Sequence, residues 1–114
     1  MLRGEIWDVD IPSQLAGSGH EQAGFRPALI VSVEPDPLNT VCVIIPSTSK
    51  LKAQELPHTL LVYPTETNGL DVPSVLLVGQ IRAIDKRRVQ TKRGVIEAVH
   101  LAAVEDMLRK LLGL

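Results

Sequence analysis

The sequence predicts a mainly β fold of the α+β class, in which a small, strongly curved antiparallel barrel carries one helix near the C-terminus. Three observations support this prediction. Short apolar runs rich in β-branched residues recur along the chain, turn-forming residues separate them at intervals of roughly ten residues, and only the last stretch has helical periodicity. No internal repeat or low-complexity tract is present.

The first half of the chain holds three predicted strands and one long loop. Residues 2–11 are predicted as a strand because apolar and polar residues alternate in the segment EIWDVD. Residues 12–24 are rich in Gly and Ser, and a loop of this length is typical either of a binding loop or of a disordered connector. The short apolar runs at 28–33 (ALIVSV) and 41–45 (VCVII) give the second and third strands.

One register between the second and third strands would set a cation against a hydroxyl. If Val33 faces Val41, antiparallel partners share an index sum of 74, and Arg26 and Thr48 share it too. Their Cβ atoms would then lie roughly 5 Å apart. Pro27 favours this geometry because it biases Arg26 towards an extended backbone. The seven-residue connection does not itself fix the register, so this pairing is a hypothesis.

The second half of the chain holds shorter predicted strands. Residues 58–63 and 74–78 are apolar runs on either side of a strong Asn-Gly turn signal at positions 68 and 69. Residues 80–85 alternate strictly between polar and apolar and give a sixth strand. Residues 95–98 are predicted as a short seventh strand.

The chain ends in a predicted helix from about Val99 to Leu112. Its apolar stripe has helical spacing and consists of Leu101, Val104, Leu108 and Leu111. Gly113 suits the position at which a helix stops. Basic residues at 109 and 110 lie in the last turn, where their charge is favourable to the helix dipole.

Length and composition indicate one domain over residues 1–114. The chain is 45% hydrophobic and 22% charged, which is ordinary for a globular protein. No apolar run approaches the ~20 residues that span a membrane, and the N-terminal segment lacks the apolar stretch of a signal peptide. We therefore expect a cytoplasmic protein without membrane contact. Cys42, the only cysteine, lies in an apolar strand and is expected to be a small buried hydrophobe.

The net charge of −1 conceals a basic stretch. Six of the twelve basic residues fall within twelve positions, namely Arg82, Lys86, Arg87, Arg88, Lys92 and Arg93. Because Asp85 is the one acidic residue there, this stretch carries +5 and the rest of the chain −6. Such a stretch either attracts a polyanion or forms a solvated connection between elements, and both interpretations stay open.

Several common kinds of site are not supported by the sequence. The chain has neither HExxH nor any other spacing of His and acidic residues that is typical of a metal site. Dinucleotide-binding, P-loop and serine-hydrolase motifs are also absent. We therefore expect no metal and no cofactor.

The remaining candidates for chemistry centre on Arg26 and Thr48. An arginine directs two N–H groups at phosphate oxygens, and a threonine hydroxyl can donate to a neighbouring oxygen. Together they suit a pentacovalent phosphorane, whose extra negative charge develops only in the transition state. Taken alone, an arginine opposite a threonine at a strand end is more often a surface pair.

Four blocks of the sequence, in the same order, resemble the MazF/PemK family of toxin endoribonucleases. They are residues 3–10 (RGEIWDVD), 21–30 (EQAGFRPALI), 46–49 (PSTS) and 75–88 (VLLVGQIRAIDKRR), and the ending LLGL is similar as well. The resemblance implies metal-independent cleavage of single-stranded RNA by attack of a 2′-hydroxyl, leaving 2′,3′-cyclic phosphate and 5′-hydroxyl ends. It also implies a homodimer of SH3-like barrels, similar to the CcdB fold, that is inhibited by a MazE-like antitoxin.

The resemblance also assigns roles to particular residues. Arg26 becomes the phosphate clamp and proton-transfer partner, Thr48 the hydrogen-bonding or acid residue, and Glu21 an assisting acid. The residues expected to contact RNA are Gln22, Phe25, Ser47, Ser49, Gln80, Arg82 and Lys86. Phe25 stands where some members of the family have a histidine, so it either stacks on an unpaired base or packs against the barrel.

Two other functions stay open at this point. A toxin of the same barrel type, resembling the CcdB group, would bind DNA gyrase without catalysis, and it would not need the Arg26 and Thr48 pair. A degenerate member of the nuclease family would bind only RNA or the antitoxin, because Phe25 changes the surroundings of the arginine.

Overall fold

A computed structural model of the chain describes residues 1–12, 24–33 and 40–114. Its strands are β1 (Glu5–Ile11), β2 (Gly24–Ile30), β3 (Val41–Thr48), β4 (Thr59–Val62), β5 (Ser74–Leu77), β6 (Arg82–Asp85) and β7 (Val89–Val95). One α-helix, α1 (Ala98–Leu112), follows them, and short 3-10 turns connect some of the strands. The predicted mainly β fold with a C-terminal helix is confirmed.

The strands form one antiparallel sheet in the order β4-β5-β3-β2-β1-β7. β6 lies off this path and pairs with residues 41–44 of β3, on the edge opposite β2. Strand pairing between the described residues does not close this sheet, so the predicted barrel is an open one. No helix in the described ranges is long and apolar enough to cross a membrane.

The predicted register between the second and third strands is confirmed. Ala28 pairs with Pro46, Leu29 with Ile45 and Ile30 with Ile44, so each pair has the index sum of 74. The boundaries of these strands differ from the prediction. β2 begins at Gly24 and ends at Ile30, and β3 continues to Thr48. The prediction followed apolar runs and therefore missed the extended but polar ends of both strands.

The seventh strand was predicted in the wrong place. β7 spans Val89–Val95 and overlaps the end of the basic stretch, whereas residues 96 and 97 lead into the helix and Ala98 is its first residue. Its sequence, VQTKRGV, lacks apolar alternation because most of its side chains are exposed or half-buried. The strand is held by pairing with β1 and by ion pairs across that edge of the sheet.

β3 changes partner at the point where the site forms. Its pairing with β2 ends at Pro46, and the next two residues, Ser47 and Thr48, pair with Leu76 and Val75 of β5. Neither Pro27 nor Pro46 has an N–H to donate, which weakens further pairing between β2 and β3. The two strands therefore separate beyond this point.

Two apolar clusters pack on opposite faces of the central strands. One includes Leu29 and Ile45 and continues to Val104 of α1. The other contains Ala28, Ile30 and Cys42, so the expected burial of the cysteine is confirmed. Alternate residues of β2 thus enter different clusters, as the period of two in a strand requires.

The predicted helix and its stop signal are confirmed. α1 begins one residue before the predicted start and ends at Leu112. Gly113 follows in the left-handed region with φ of 71°. The Leu114 N–H donates to the Arg109 carbonyl at 2.8 Å, which satisfies an acceptor of the last turn.

Candidate active-site pocket

A pocket of about 200 Å³ opens where β2 and β3 separate. Residues 25–27 of β2 and 47–49 at the end of β3 form two of its walls. Residues 70–72, which precede β5, Ser74 at the start of β5 and Arg93 of β7 complete the lining. Four separate parts of the chain therefore contribute to one cavity.

The two residues proposed for phosphate chemistry lie at this pocket. Arg26 is half-buried on β2, and Thr48 is only 3% exposed at the end of β3. A ligand therefore meets Thr48 at the bottom of the pocket rather than at its rim. The Thr48 hydroxyl oxygen accepts the Lys50 N–H at 3.2 Å. This contact occupies a lone pair and leaves the hydroxyl proton for another acceptor.

Three further predicted residues line the same pocket in different ways. Ser47 is buried, and its hydroxyl donates to the Pro27 carbonyl at 2.6 Å. This bond ties β3 to β2 beyond their last paired residues and uses the serine proton. Ser49 is exposed beside it. Phe25 is 71% exposed, so its ring does not pack against the barrel and stands at the mouth of the pocket.

Three of the remaining predicted residues, Gln80, Arg82 and Lys86, do not line this pocket. Glu21 and Gln22 lie outside the described residues. Gln80 lines a separate groove of about 240 Å³ that runs beside His58 and Leu111. Arg82 lies on β6, which pairs with residues 41–44 of β3 and not with the end of β3 that lines the pocket, and Lys86 follows that strand.

Sequence reasoning missed two charged residues of the pocket, Arg93 and Asp71. The Arg93 Nε donates to Asp8 Oδ1 at 2.6 Å, and its Nη1 donates to Asp71 Oδ2 at 2.7 Å and to the Gly69 carbonyl at 3.3 Å. Hydrogen bonds from Arg93 to Asp71 and then to Asp8 raise the pKa of the guanidinium, which stays cationic. The pocket thus holds two guanidinium groups.

A β-bulge presents Arg93 to the pocket. Ile6 pairs with Gly94 and Trp7 with Lys92, so Arg93 is the extra residue on β7. A bulge of this kind re-aims a side chain that the ladder would otherwise direct elsewhere. No sequence motif marks this bulge, and only the pairing with β1 reveals it.

The predicted turn at Asn68 and Gly69 is confirmed, and it leads directly into residues 70–72 of the pocket lining. Asn68 is fully buried and its amide is satisfied, because Oδ1 accepts from the Leu70 N–H at 3.0 Å and Nδ2 donates to the Tyr63 carbonyl at 3.0 Å. A second Nδ2 contact reaches Glu97 at 3.1 Å. Burial raises the pKa of Glu97, but hydrogen bonds from Thr65 and Asn68 outweigh it and lower the pKa overall.

The basic stretch is neither a loop nor an unbalanced positive surface. It forms β6, a 3-10 turn and β7, and most of its charges are paired within the chain. The ion pairs are Arg87 with Asp85, Arg88 with Asp10, Lys92 with Glu5, and Arg93 with Asp8 and Asp71. Its attraction for a polyanion is therefore weaker than the charge count of the sequence suggested.

Comparison with known proteins decides the family. The sequence profile of the family described as PemK-like, MazF-like toxin of type II toxin-antitoxin system matches residues 2–112. The chain belongs to this family. A relative named Endoribonuclease MazF9, from Mycobacterium tuberculosis, is 32% identical over 115 aligned positions that cover 96% of this chain and 93% of the relative.

Solved structures of the MazF family have the same fold. MazF from Deinococcus radiodurans superposes with a TM-score of 0.78 at 28% identity and covers all of this chain and 97% of its own. A MazE-MazF structure from the same organism superposes with a TM-score of 0.76, again at 28% identity and with the same coverage. Both similarities extend over the full length of the MazF-type chain.

Proposed function

We propose that this MazF-family toxin is a sequence-specific, metal-independent endoribonuclease that cleaves single-stranded RNA, mRNA in particular. The observation that carries this assignment is the pocket between β2 and β3, which Arg26 and Thr48 both line. The name of its relative MazF9, an endoribonuclease, supports the same activity. The whole of residues 1–114 acts as one toxin domain.

The reaction we propose is an internal transesterification. The 2′-oxygen attacks the adjacent phosphorus, the bond from phosphorus to the 5′-oxygen breaks, and a 2′,3′-cyclic phosphate and a 5′-hydroxyl result. Arg26 binds the non-bridging oxygens and stabilises the charge that develops on them. Thr48 donates a hydrogen bond to the same phosphate at the bottom of the pocket.

The two protons of this reaction need carriers. One must leave the 2′-hydroxyl, and one must reach the departing 5′-oxygen. A guanidinium is a poor proton acceptor at neutral pH, so the first role of Arg26 is electrostatic. Glu21 is the proposed assisting acid, and its position lies outside the described residues.

The proposed RNA contacts surround this centre. Phe25, at the mouth of the pocket, is available to stack on an unpaired base. Gln22, Ser47, Ser49, Gln80, Arg82 and Lys86 remain proposed contacts for the rest of the strand. Ser47 contributes by holding the end of β3 against β2, because its hydroxyl already donates to the Pro27 carbonyl.

We further propose that a MazE-like antitoxin inhibits this chain and that the toxin is a homodimer. MazE-MazF structures from Deinococcus radiodurans, which contain a chain of the same fold, support the antitoxin. The cytoplasm is the proposed site of action, because both the RNA substrate and a newly made antitoxin are available there.

A cleavage assay in excess EDTA tests the nuclease activity. Long single-stranded RNA is incubated with the wild type, Arg26→Ala, Thr48→Ala and the control Asp106→Asn, whose exposed pair with Lys110 lies on α1. We expect the wild type and the control to cut and both pocket variants to lose at least about 100-fold in rate. Direct kinase labelling of the new 5′ ends would identify the 5′-hydroxyl. Intact RNA with the wild type, or equal cutting by the pocket variants, contradicts this function.

The two other functions are less well supported. A CcdB-like protein that binds DNA gyrase would not need a guanidinium and a hydroxyl in one pocket, and the family that matches this chain is that of PemK-like and MazF-like toxins. A degenerate member would bind RNA without cutting it. Cleavage by the wild type in the same assay excludes both.

A further inference from the structure

The pocket holds a second guanidinium that the proposed reaction does not use. Arg93 lines the same cavity as Arg26 and Thr48. Its two carboxylate partners differ in exposure, because the Asp8 side chain is 29% exposed and the Asp71 side chain 79%. One partner therefore fixes the guanidinium from within the sheet, and the other approaches it from the solvent side.

The backbone around Arg93 is shaped to present this side chain. Arg93 is the extra residue of a bulge, and the turn that carries Asp71 packs directly on that bulge. A Cβ at Gly94 would lie 2.3 Å from the Thr67 carbonyl oxygen, and one at Gly69 would lie 2.1 Å from the Arg93 carbonyl oxygen. Two glycines thus permit the close approach that brings Asp71 to Arg93.

We propose that Arg93 is a second phosphate-binding residue of this pocket, and that a phosphate next to the scissile one replaces the Asp71 carboxylate on it. The Asp71 carboxylate accepts from Nη1 as a phosphate oxygen would. An ion pair this exposed contributes little to stability and is readily exchanged. The bond from Nε to Asp8 remains and keeps the guanidinium oriented. This role depends on the proposed nuclease function.

Asp71 is then a built-in competitor of RNA. In the protein without RNA it shares the Arg93 guanidinium with Asp8 and occupies the Nη1 group that a phosphate oxygen would use. It lowers the affinity for every RNA, whatever the sequence, because phosphate contacts carry no base information. Removal of its charge should strengthen binding, whereas removal of Arg93 should weaken it.

Binding can be measured apart from cleavage. The probe is a short fluorescein-labelled RNA of randomised sequence, whose 2′-hydroxyls are replaced by fluorine so that no nucleophile is present. Fluorescence anisotropy over a range of salt concentrations reports the sequence-independent contacts. The variants are Asp71→Asn, Arg93→Gln, the double variant, and Asp106→Asn, which removes a carboxylate from an ion pair of 3.0 Å outside the pocket.

We expect Asp71→Asn to tighten binding roughly three- to tenfold, and Asp106→Asn to change it by less than about twofold. Arg93→Gln should weaken binding and reduce the slope of log K against log salt by about 0.7, the value for one phosphate contact on a single strand. In the Arg93→Gln background, Asp71→Asn should have no further effect. A thermal melt of each variant checks that the protein is folded.

Three results would overturn the role of Arg93 and leave the nuclease function intact. In the first, the wild type cleaves RNA but Asp71→Asn binds the probe no more tightly than the Asp106→Asn control does. In the second, Asp71→Asn tightens binding equally in the Arg93→Gln background. In the third, Asp71→Asn binds with unchanged affinity but no longer cleaves. The last would make Asp71 a proton carrier. Asp71→Asn leaves the Asp8 pair intact and so tests the role even if Arg93→Gln does not fold. A wild type that neither binds nor cuts RNA overturns both proposals.

Discussion

At the scale of single residues, two prolines and a serine determine where the pocket forms. Pro27 and Pro46 remove N–H donors at the point where β2 and β3 stop pairing. Ser47 then donates a hydrogen bond to the Pro27 carbonyl, and this bond still joins the two strands there. Arg26 and Thr48 lie on either side of this gap, so their proximity follows from the local strand geometry.

The Thr48 hydroxyl should be required for cleavage, whereas its methyl group should not. Thr48→Val keeps the shape but removes the donor, and kcat/KM should fall about 100- to 1,000-fold. Thr48→Ser keeps the hydroxyl and should stay within about tenfold of the wild type. The measurement is cleavage of a defined RNA under single-turnover conditions.

A stability measurement accompanies this comparison, because Thr48→Val also removes the acceptor of the Lys50 N–H. The ratio of the cleavage rates of Thr48→Ser and Thr48→Val should stay the same at every temperature well below the melting points of both variants. If Thr48→Val cuts as fast as Thr48→Ser, the hydroxyl takes no part in the reaction.

At the scale of elements, the contact between the Asn68 turn and the bulge of β7 shapes one wall of the pocket. The turn is fixed by the satisfied amide of Asn68 and by its contact with Glu97 at the start of α1. Gly69 and Gly94 allow the two backbones to touch. The position of Asp71 thus depends on an interface between a turn and a strand.

Gly94→Ala should destabilise the fold strongly. The new Cβ would lie within 2.3 Å of a backbone oxygen, so one backbone must move. We expect a loss of about 2–4 kcal/mol in the free energy of unfolding, measured by urea denaturation.

Gly113→Ala is a control without the close contact, because nothing lies within 4 Å of the added Cβ; unlike Gly94, Gly113 has a left-handed backbone with φ of 71°. It should cost only about 1 kcal/mol, the cost of a left-handed conformation. Equal losses for the two variants would show that the contact between turn and bulge is not tight.

The elements that sequence reasoning predicted well are those that bury an apolar face. Apolar runs located β3 and β5, and helical periodicity located α1, each within a few residues. The register of β2 on β3 was a hypothesis that the strand pairing confirms. β7 was missed because its charged side chains pair with β1 at the edge of the sheet.

The same contrast holds for the pocket. Arg26 and Thr48 could be paired from an index sum because a regular ladder connects them. Arg93 and Asp71 could not, because Arg93 depends on a bulge and on Asp8, which lies 85 positions away along the chain. Irregular backbone and long-range ion pairs leave no periodic signal in a sequence.

At the scale of the whole molecule, ion pairs across the β1 and β7 edge connect stability to pH. Burial raises the pKa of Glu5, but hydrogen bonds from Lys92, the Leu2 N–H and the Trp7 indole outweigh it and lower the pKa from 4.5 to about 2. The folded state therefore holds this carboxylate charged where the unfolded state would protonate it.

This difference predicts acid sensitivity with a definite sign. Since the folded pKa is the lower one, the stabilisation is complete above about pH 4.5 and is lost as the pH falls towards 2. Glu5→Gln should be about 1–2 kcal/mol less stable than the wild type at neutral pH, and this gap should close towards pH 2. Urea denaturation at a series of pH values measures it.

Asp106→Asn serves as the control here too, because its pair with Lys110 is exposed at the helix surface. The gap between this variant and the wild type should stay small at every pH. A gap between Glu5→Gln and the wild type that persists unchanged at pH 2 would mean that the carboxylate contributes through its shape and not its charge.

Because both faces of β2 are buried, the geometry of the pocket does not depend on the length of the segment that joins Ile30 to Val41. A shift of one residue in the register of β2 would move Leu29 into the cluster of Ala28 and Ile30, and these two into the cluster of Leu29. The burial of both faces therefore fixes the register of β2 on β3. Insertions or deletions in the segment that joins Ile30 to Val41 then leave the distance between Arg26 and Thr48 unaltered. Lineages of this toxin can vary that segment, and any contacts it makes, while the cleavage chemistry stays constant.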